Sequence, residues 1–196
     1  MENTIRSIQY FYPVSEPSLI EFTSYFEAMD FPAKHLLIEG GKMNNYVYFI
    51  EKGLCRSFCM LDEEEVTSWF SREGDITFAL LALYRNQPGF EYVETLEPTT
   101  AYAIKINDLN HLYTTNIEIA NWSRVVHQEC VLSLQTRRIE RLQKSAKERY
   151  EILLNEQPDL FARVKLSYLA SFLGMTPQHF SKMRAESSND DIHPIF

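Results

Sequence analysis

The chain has 196 residues, 19 Lys and Arg against 27 Asp and Glu, and a net charge of −8. That length supports a sizeable core in one large domain or two small ones. The composition is that of an ordinary globular protein, no apolar run reaches the eighteen or so residues needed to cross a bilayer, and the overall negative charge argues against indiscriminate binding to phosphate backbones.

The first stretch, "MENTIRSIQYFYPVSEP", has neither a basic start followed by an apolar run nor a small-residue cleavage site, which predicts a cytoplasmic protein without a secretory signal or membrane partner. In residues 17 to 29, Leu19, Ile20, Phe22, Phe26 and Met29 fall at mixed three- and four-residue spacings after a Pro, and this predicts an amphipathic helix. From Lys34 to Lys105 the pattern changes to short runs rich in β-branched and aromatic residues: "HLLIEG", "YVYFIE", "LCRSFCML", "EVTSWFS", "FEYVETL" and "TAYAIK". Turn signals such as Gly40-Gly41, Asn44-Asn45, the acidic tip Asp62 to Glu65 and Pro88-Gly89 separate them. Many short strands at this spacing predict an antiparallel sandwich or roll.

After Ile106 no strand signal returns. "NDLNHLYTTN" predicts a short helix begun by an Asn or Asp cap, and Ile117 to about Gln143 predicts one long helix, free of Gly and Pro. Val125, Leu132 and Ile139 recur every seven residues, with Trp122 and Leu142 near the same stripe, so the helix is expected to form a two-fold dimer contact. The seam is imperfect, because Glu129 and Thr136 occupy the partner positions. The alternative is a helix packed only on its own domain. A further helix, "SAKERYEILLNEQ", ends at Pro158, and "PDLFARV" is expected to be a link.

In "LSYLASFLGMTPQHFSKMR", residues 166 to 184, Leu166, Leu169, Ala170, Phe172 and Leu173 give a first short helix its buried face. Gly174 suits a left-handed turn, Thr176 an N-cap and Pro177 the first helical position. With Phe180 and Met183 packed inward, Gln178, His179, Ser181, Lys182 and Arg184 remain on the outer faces, and together with Thr176 they are the candidate DNA-binding residues. Gln178 suits adenine and Lys182 guanine edges, and Arg184 suits a phosphate. Charge partitions accordingly: residues 1 to 133 carry a net −10, residues 134 to 184 a net +5, and the last twelve residues −3. The tail "AESSNDDIHPIF" is expected to be weakly ordered.

Other chemistries find little support. Cys55, Cys59 and Cys130 lack metal-ligand spacing, and on one strand Cys55 and Cys59 would stand roughly 13 Å apart, too far for a disulfide. They read as buried apolar thiols. His35, His111, His127, His179 and His193 form no His-x-His or i, i+4 pair, so a cupin-like metal triad is not expected, nor any metal, cofactor or enzymatic activity.

Taken together, these segments resemble the Crp/Fnr family of bacterial transcription regulators across nearly the whole chain. "YVYFIEKGLCRSF" resembles part of the cyclic-nucleotide-binding-type β-roll, and "LSYLASFLGMTPQHFSKMR" the helix–turn–helix of the short branch common among Bacteroidetes-type members. The resemblance implies an α+β protein: an antiparallel β-roll (double-stranded β-helix) effector domain at 1–116, a dimerisation helix at 117–143, an all-α helix–turn–helix domain at 144–184 and a tail at 185–196. It also implies a homodimer on inverted-repeat double-stranded DNA, contact with RNA polymerase, and a small-molecule effector. Cyclic-AMP-binding members carry a Gly-Glu pair and, about ten residues later, an Arg-Ser pair that clamps the phosphate. Here Phe78, Ala79, Leu80 and Leu81 stand at the first place and Gly89, Phe90 and Glu91 near the second, so that Phe78, Leu80, Leu81, Phe90, Glu91 and Tyr92 are the expected effector-pocket residues. A cyclic phosphate would lose its charge-assisted bonds and face Glu91, with the exposed Arg85 no substitute, so no cyclic-nucleotide binding is expected. The wing strands usual after the recognition helix, and the cysteine cluster of FNR-like members, are missing. The competing reading is a dimeric β-roll interaction module with weakened or lost DNA binding.

Overall fold

A computed structural model describes residues 1–190, with side chains as far as Ala185. Two helices, α1 (Glu2–Phe11) and α2 (Glu16–Ser24), lead into eight strands: β1 (Glu27–Phe31), β2 (Leu36–Ile38), β3 (Tyr46–Lys52), β4 (Cys55–Leu61), β5 (Glu64–Ser71), β6 (Ile76–Phe78), β7 (Tyr92–Thr95) and β8 (Thr99–Lys105). A short helix, α3 (Leu80–Arg85), interrupts the strands after β6. They pair antiparallel into two four-stranded sheets, ordered β1-β8-β3-β6 and β2-β7-β4-β5. Then come α4 (Ile106–Thr115), α5 (Ile117–Gln143), α6 (Ala146–Glu156), α7 (Pro158–Arg163), α8 (Leu166–Leu173) and α9 (Pro177–Asp190).

Buried residues of both sheets, Phe49, Ile50, Cys55, Val93, Ala101 and Ile104 among them, form one core together with Ile8, Phe22, Leu112, Ile119 and Trp122. A second core unites the C-terminal helices through Tyr150, Leu153, Leu160, Leu169, Phe180 and Met183, and takes Leu54 and Phe70 from the roll. The helical unit is therefore built onto the sheet.

Several expectations need correction. The helix expected over residues 17 to 29 stops at Ser24, because β8 pairs with the next residues from Glu27↔Ala103 to Phe31↔Thr99. Phe26 still packs on Phe22 and Phe49, at 5.0 and 4.8 Å between ring centres. Helix α1 carried no strong sequence signal. Its first turn is capped from a distance: Asn3 N, Thr4 N and Thr4 Oγ1 donate to the Glu51 carboxylate at 3.2, 3.0 and 2.9 Å. Burial pushes that carboxyl up, but these bonds outweigh it and hold it below the usual carboxylate range. α4 has no side-chain cap; Asn116 instead caps α5, accepting from Glu118 N and Ile119 N at 3.0 and 3.2 Å. The link "PDLFARV" is α7, opened by Pro158 at its first position. Ser145 and Glu148 close a capping box on α6. α9 continues past Arg184 to Asp190, so the first half of the tail is helical, while residues 191–196 lie outside the described residues. No strand follows α9 among the described residues. Cys55 is buried, its thiol pushed up to about 12 by desolvation, but Cys59 is only half-buried and Cys130 is exposed on α5.

Candidate nucleic-acid interface and effector pocket

The turn between α8 and α9 is set by local chemistry. Gly174 adopts φ +70°, and a Cβ there would meet nothing within 4 Å, so the requirement is conformational rather than steric. Gly174 N and Met175 N donate to Ser171 O and Ala170 O at 3.0 and 2.9 Å, closing the end of α8. Thr176 Oγ1 accepts from His179 N at 3.2 Å, the N-cap expected of it. Phe180 and Met183 turn into the second core. Gln178, His179, Ser181, Lys182 and Arg184 are brought together, exposed, on the outer side of one helix.

The positive charge of this half is spent differently from what a segment count suggests. Arg163 is a fork between Glu73 and Glu97, with Nη2 at 2.8 and 2.6 Å, and the two carboxylates hold its guanidinium above the usual arginine range. Arg141 Nη2 and Arg149 Nε donate to Phe172 O and Leu173 O at 2.9 and 3.2 Å, satisfying carbonyls at the end of α8. Arg137 lies over the Trp69 and Phe172 rings at 3.8 and 4.8 Å, and burial lowers its pKa to about 10. Lys144 pairs with Glu140 at 3.1 Å. Five of the ten basic residues thus hold the helical unit together, and the surface facing a nucleic acid is less cationic than net +5 implies.

A second set of contacts fixes α8 on the sheet. Ser171 Oγ accepts from Thr67 N at 2.9 Å, and Phe70 and Phe172 meet edge-on at 5.1 Å. Arg56 is 1% exposed. Its guanidinium sits 3.7 Å from the Tyr168 ring and 4.2 Å from Phe58, and it pairs with Glu94 at 3.0 Å and with Glu65. Sequence reasoning missed this residue; the only signal was a lone Arg inside an apolar strand.

The expected effector residues are not gathered into one cavity wall. Phe90 and Leu80 are exposed, while Phe78 and Leu81 are half-buried. Tyr92 stacks on Phe58 at 5.1 Å and lies so close over Gly40 that a Cβ there would meet its ring at 2.5 Å. Glu91 immediately precedes β7. Both its carboxylate oxygens are buried without a hydrogen-bond partner, and Oε2 would lie 2.2 Å from a Cβ at Gly89. Arg85, the last residue of α3, is exposed. The region around Gly89 therefore presents a buried carboxyl group where a phosphate clamp would need a cation, so it offers a cyclic phosphate no charge-assisted bond.

On α5, Trp122 is corrected. It stacks on Phe49 at 5.9 Å and meets Phe22 at 5.0 Å inside the first core, where its flat ring is covered by its own domain. Val125 is half-buried, and Leu132 and Ile139 are exposed, as are Val131, Leu134 and Leu142. Beside this stripe runs an open groove of about 870 Å³, lined among others by Tyr113, Ser123, His127 and Leu132. Among the described residues no three His, Cys, Asp or Glu side chains come together to hold a metal. No helix among them is long and apolar enough to cross a membrane.

Known proteins share this arrangement. The family "Cyclic nucleotide-binding domain" matches residues 28–116. FixK2 from Bradyrhizobium japonicum superposes with TM-score 0.72 at 17% identity, over 87% of this chain and 88% of that one. A protein described as a Crp/Fnr-family transcriptional regulator from Eubacterium rectale gives 0.72 at 13% identity, over 95% and 91%. This is the Crp/Fnr fold. CLP from Xanthomonas campestris, described as a c-di-GMP-responsive global regulator, has the same Crp/Fnr arrangement at TM-score 0.73 and 14% identity, over 93% and 96%. No curated protein matches the chain.

Proposed function

We propose that the chain is a homodimeric, DNA-binding transcription regulator of Crp/Fnr type, acting in the cytoplasm without enzymatic activity, with α9 as its reading helix. The observation that carries this is the exposed row Gln178, His179, Ser181, Lys182 and Arg184, on a helix whose opposite side is anchored by Phe180 and Met183. Two copies related by a two-fold axis present two such helices about one helical turn apart, roughly 34 Å, so the site is an inverted repeat in double-stranded DNA. RNA polymerase is the further partner this fold suggests. In duplexes selected from a random pool, Lys182→Ala or Gln178→Ala should cost about 1–3 kcal/mol at the specific site and relax preference at one base pair per half-site. Arg184→Ala should weaken all sequences alike and flatten the salt dependence by about one in slope. Titration against specific and scrambled duplexes at several salt concentrations separates the two. An unchanged specific-to-scrambled ratio for Lys182→Ala and Gln178→Ala would remove α9 from base reading.

Dimerisation through α5 is supported by its exposed apolar stripe. Changing Val125 and Leu132 together to Asp should shift the chain towards monomer in sedimentation at micromolar concentration, and a monomeric wild type would contradict the assignment. The effector domain is proposed not to take cyclic nucleotides, leaving any small-molecule effector to be of another chemistry. Calorimetry should show no heat of binding for cyclic AMP or cyclic GMP, and a micromolar dissociation constant for either would overturn this.

The second reading, a dimeric interaction module with weakened DNA binding, is favoured by one observation: half the basic residues of the C-terminal segment are engaged by acidic groups, rings or backbone carbonyls of their own chain. Recovery of no preferred duplex from the random pool by a dimeric wild type would favour it.

A further inference from the structure

All four carbonyls at the open end of α8 are satisfied, by two different means. The turn takes two of them: Met175 N and Gly174 N donate to Ala170 O and Ser171 O. The other two are taken from outside, Phe172 O by Arg141 Nη2 of α5 at 2.9 Å and Leu173 O by Arg149 Nε of α6 at 3.2 Å. Arg149 is a bridge, since its Nη1 also donates to Lys144 O at 2.6 Å, on the residue that ends α5. One turn before Arg141 on the same helix, Arg137 lies over the Phe172 ring. Two guanidinium groups at a helix C-terminus also offset its partial negative charge.

The place of these contacts matters more than their strength. Thr176, the N-cap of α9, follows Leu173 after only Gly174 and Met175, so the held carbonyls stand immediately before the helix proposed to read bases. On their other side the contacts run to the last turn of α5, the helix proposed to join two copies, and to the first turns of α6. Only Lys144 and Ser145 lie between α5 and α6, and Arg149 spans that connection. Ser171 and Phe172 hold α8 to the roll through Thr67 and Phe70. Arg141 and Arg149 orient its end against α5.

Resting on the reading of the chain as a DNA-binding dimer, we propose that Arg141 and Arg149 are positioning residues for DNA recognition, which fix α9 of each copy relative to its α5 and so set the separation of half-sites that the dimer accepts. They act on carbonyls of their own chain and touch no phosphate. The two make different chemical demands. Arg141 makes one bond to Phe172 O, which a lysine ammonium can replace, whereas Arg149 uses two nitrogens of a rigid fork, which a lysine cannot reproduce. A phosphate contact would accept lysine at either position, because a point charge serves it.

The test is binding of the full-length chain to its selected inverted repeat and to duplexes with one base pair added or removed at the centre, which changes the half-site separation by about 3.4 Å and the rotation by about 35°. Wild type should prefer the selected separation by about tenfold or more. Arg141→Ala and Arg149→Ala should each reduce that preference to about threefold or less, with an unchanged dependence of affinity on salt. Arg141→Lys should restore the preference and Arg149→Lys should not. Far-UV circular dichroism and sedimentation report whether each variant keeps the fold and the dimer; if Arg149→Ala fails to fold, the two lysine variants carry the test. A wild type indifferent to the separation, or alanine variants that keep its preference, would overturn the positioning role. So would a salt slope lowered by about one, the mark of a lost phosphate contact, or equal behaviour of the two lysine variants. In each of these cases the wild type still selects an inverted repeat, and the DNA-binding reading stands. A wild type that selects no duplex would overturn both.

Discussion

Replacing Phe180 by Ala should destabilise the helical unit by about 3–5 kcal/mol, the range for deleting a fully buried phenyl ring from a close-packed core. Its side chain is 0% exposed and meets Tyr150 edge-on at 5.6 Å, with Phe161 stacked at 6.5 Å. Phe180 lies on the inner side of α9, opposite the proposed reading row, so the same change should abolish DNA binding without touching a base contact. Phe180→Leu keeps most of the volume and should lose about 1–2 kcal/mol. Chemical denaturation followed by circular dichroism gives the stability difference. A Phe180→Ala protein within about 0.5 kcal/mol of wild type would mean that α9 is not anchored through this ring.

The second large effect is expected at Arg56. Arg56→Ala should cost about 2–4 kcal/mol, because it strands the partly buried Glu94 carboxylate and removes the cation from the Tyr168 and Phe58 rings. Removal of a fully buried partner would cost more; Glu65, the other carboxylate, is about half exposed and can return to water. Substituting Arg56→Met and Glu94→Gln together should recover part of the loss, since no charge is then left without a partner. The contact joins β4 to α8, so Arg56→Ala should also raise amide hydrogen exchange along α8 while leaving β3 and β8 protected. Equal deprotection of α8 and the roll would show that Arg56 supports the whole chain rather than this junction.

Much of the fold was legible in the sequence, for definite reasons. The strand runs "YVYFIE", "LCRSFCML" and "TAYAIK" announce themselves because pleated, half-buried positions favour β-branched and aromatic residues between turn signals. The long helix shows through its lack of Gly and Pro, and the α8–α9 turn through Gly174, Thr176 and Pro177. Periodicity says that a residue is covered, not by what. Trp122 therefore read as part of the dimer stripe, although the strand and helix that cover it, through Phe49 and Phe22, come far earlier in the chain. Charge counting fails for a similar reason. Arg163 is bound to Glu73 and Glu97, and Arg141 and Arg149 to the end of α8, through contacts that no local window contains. The long-range cap on α1 from Glu51 was hidden in the same way. At the effector pocket, the lack of a phosphate clamp was visible in the residue types. That Tyr92 faces Phe58 and Gly40 required the register of β7 with β4.

The central claim, that α9 reads DNA as one half of a two-fold pair, is tested most directly by chromatin immunoprecipitation of the full-length chain followed by sequencing of the recovered DNA. The account predicts enrichment of a short inverted repeat whose half-sites lie about 10 base pairs apart, lost together with regulation of the adjacent genes when Gln178 and Lys182 are both replaced by Ala. Recovery of no sequence motif from a stably folded dimer, or a motif unchanged by that double substitution, would contradict it.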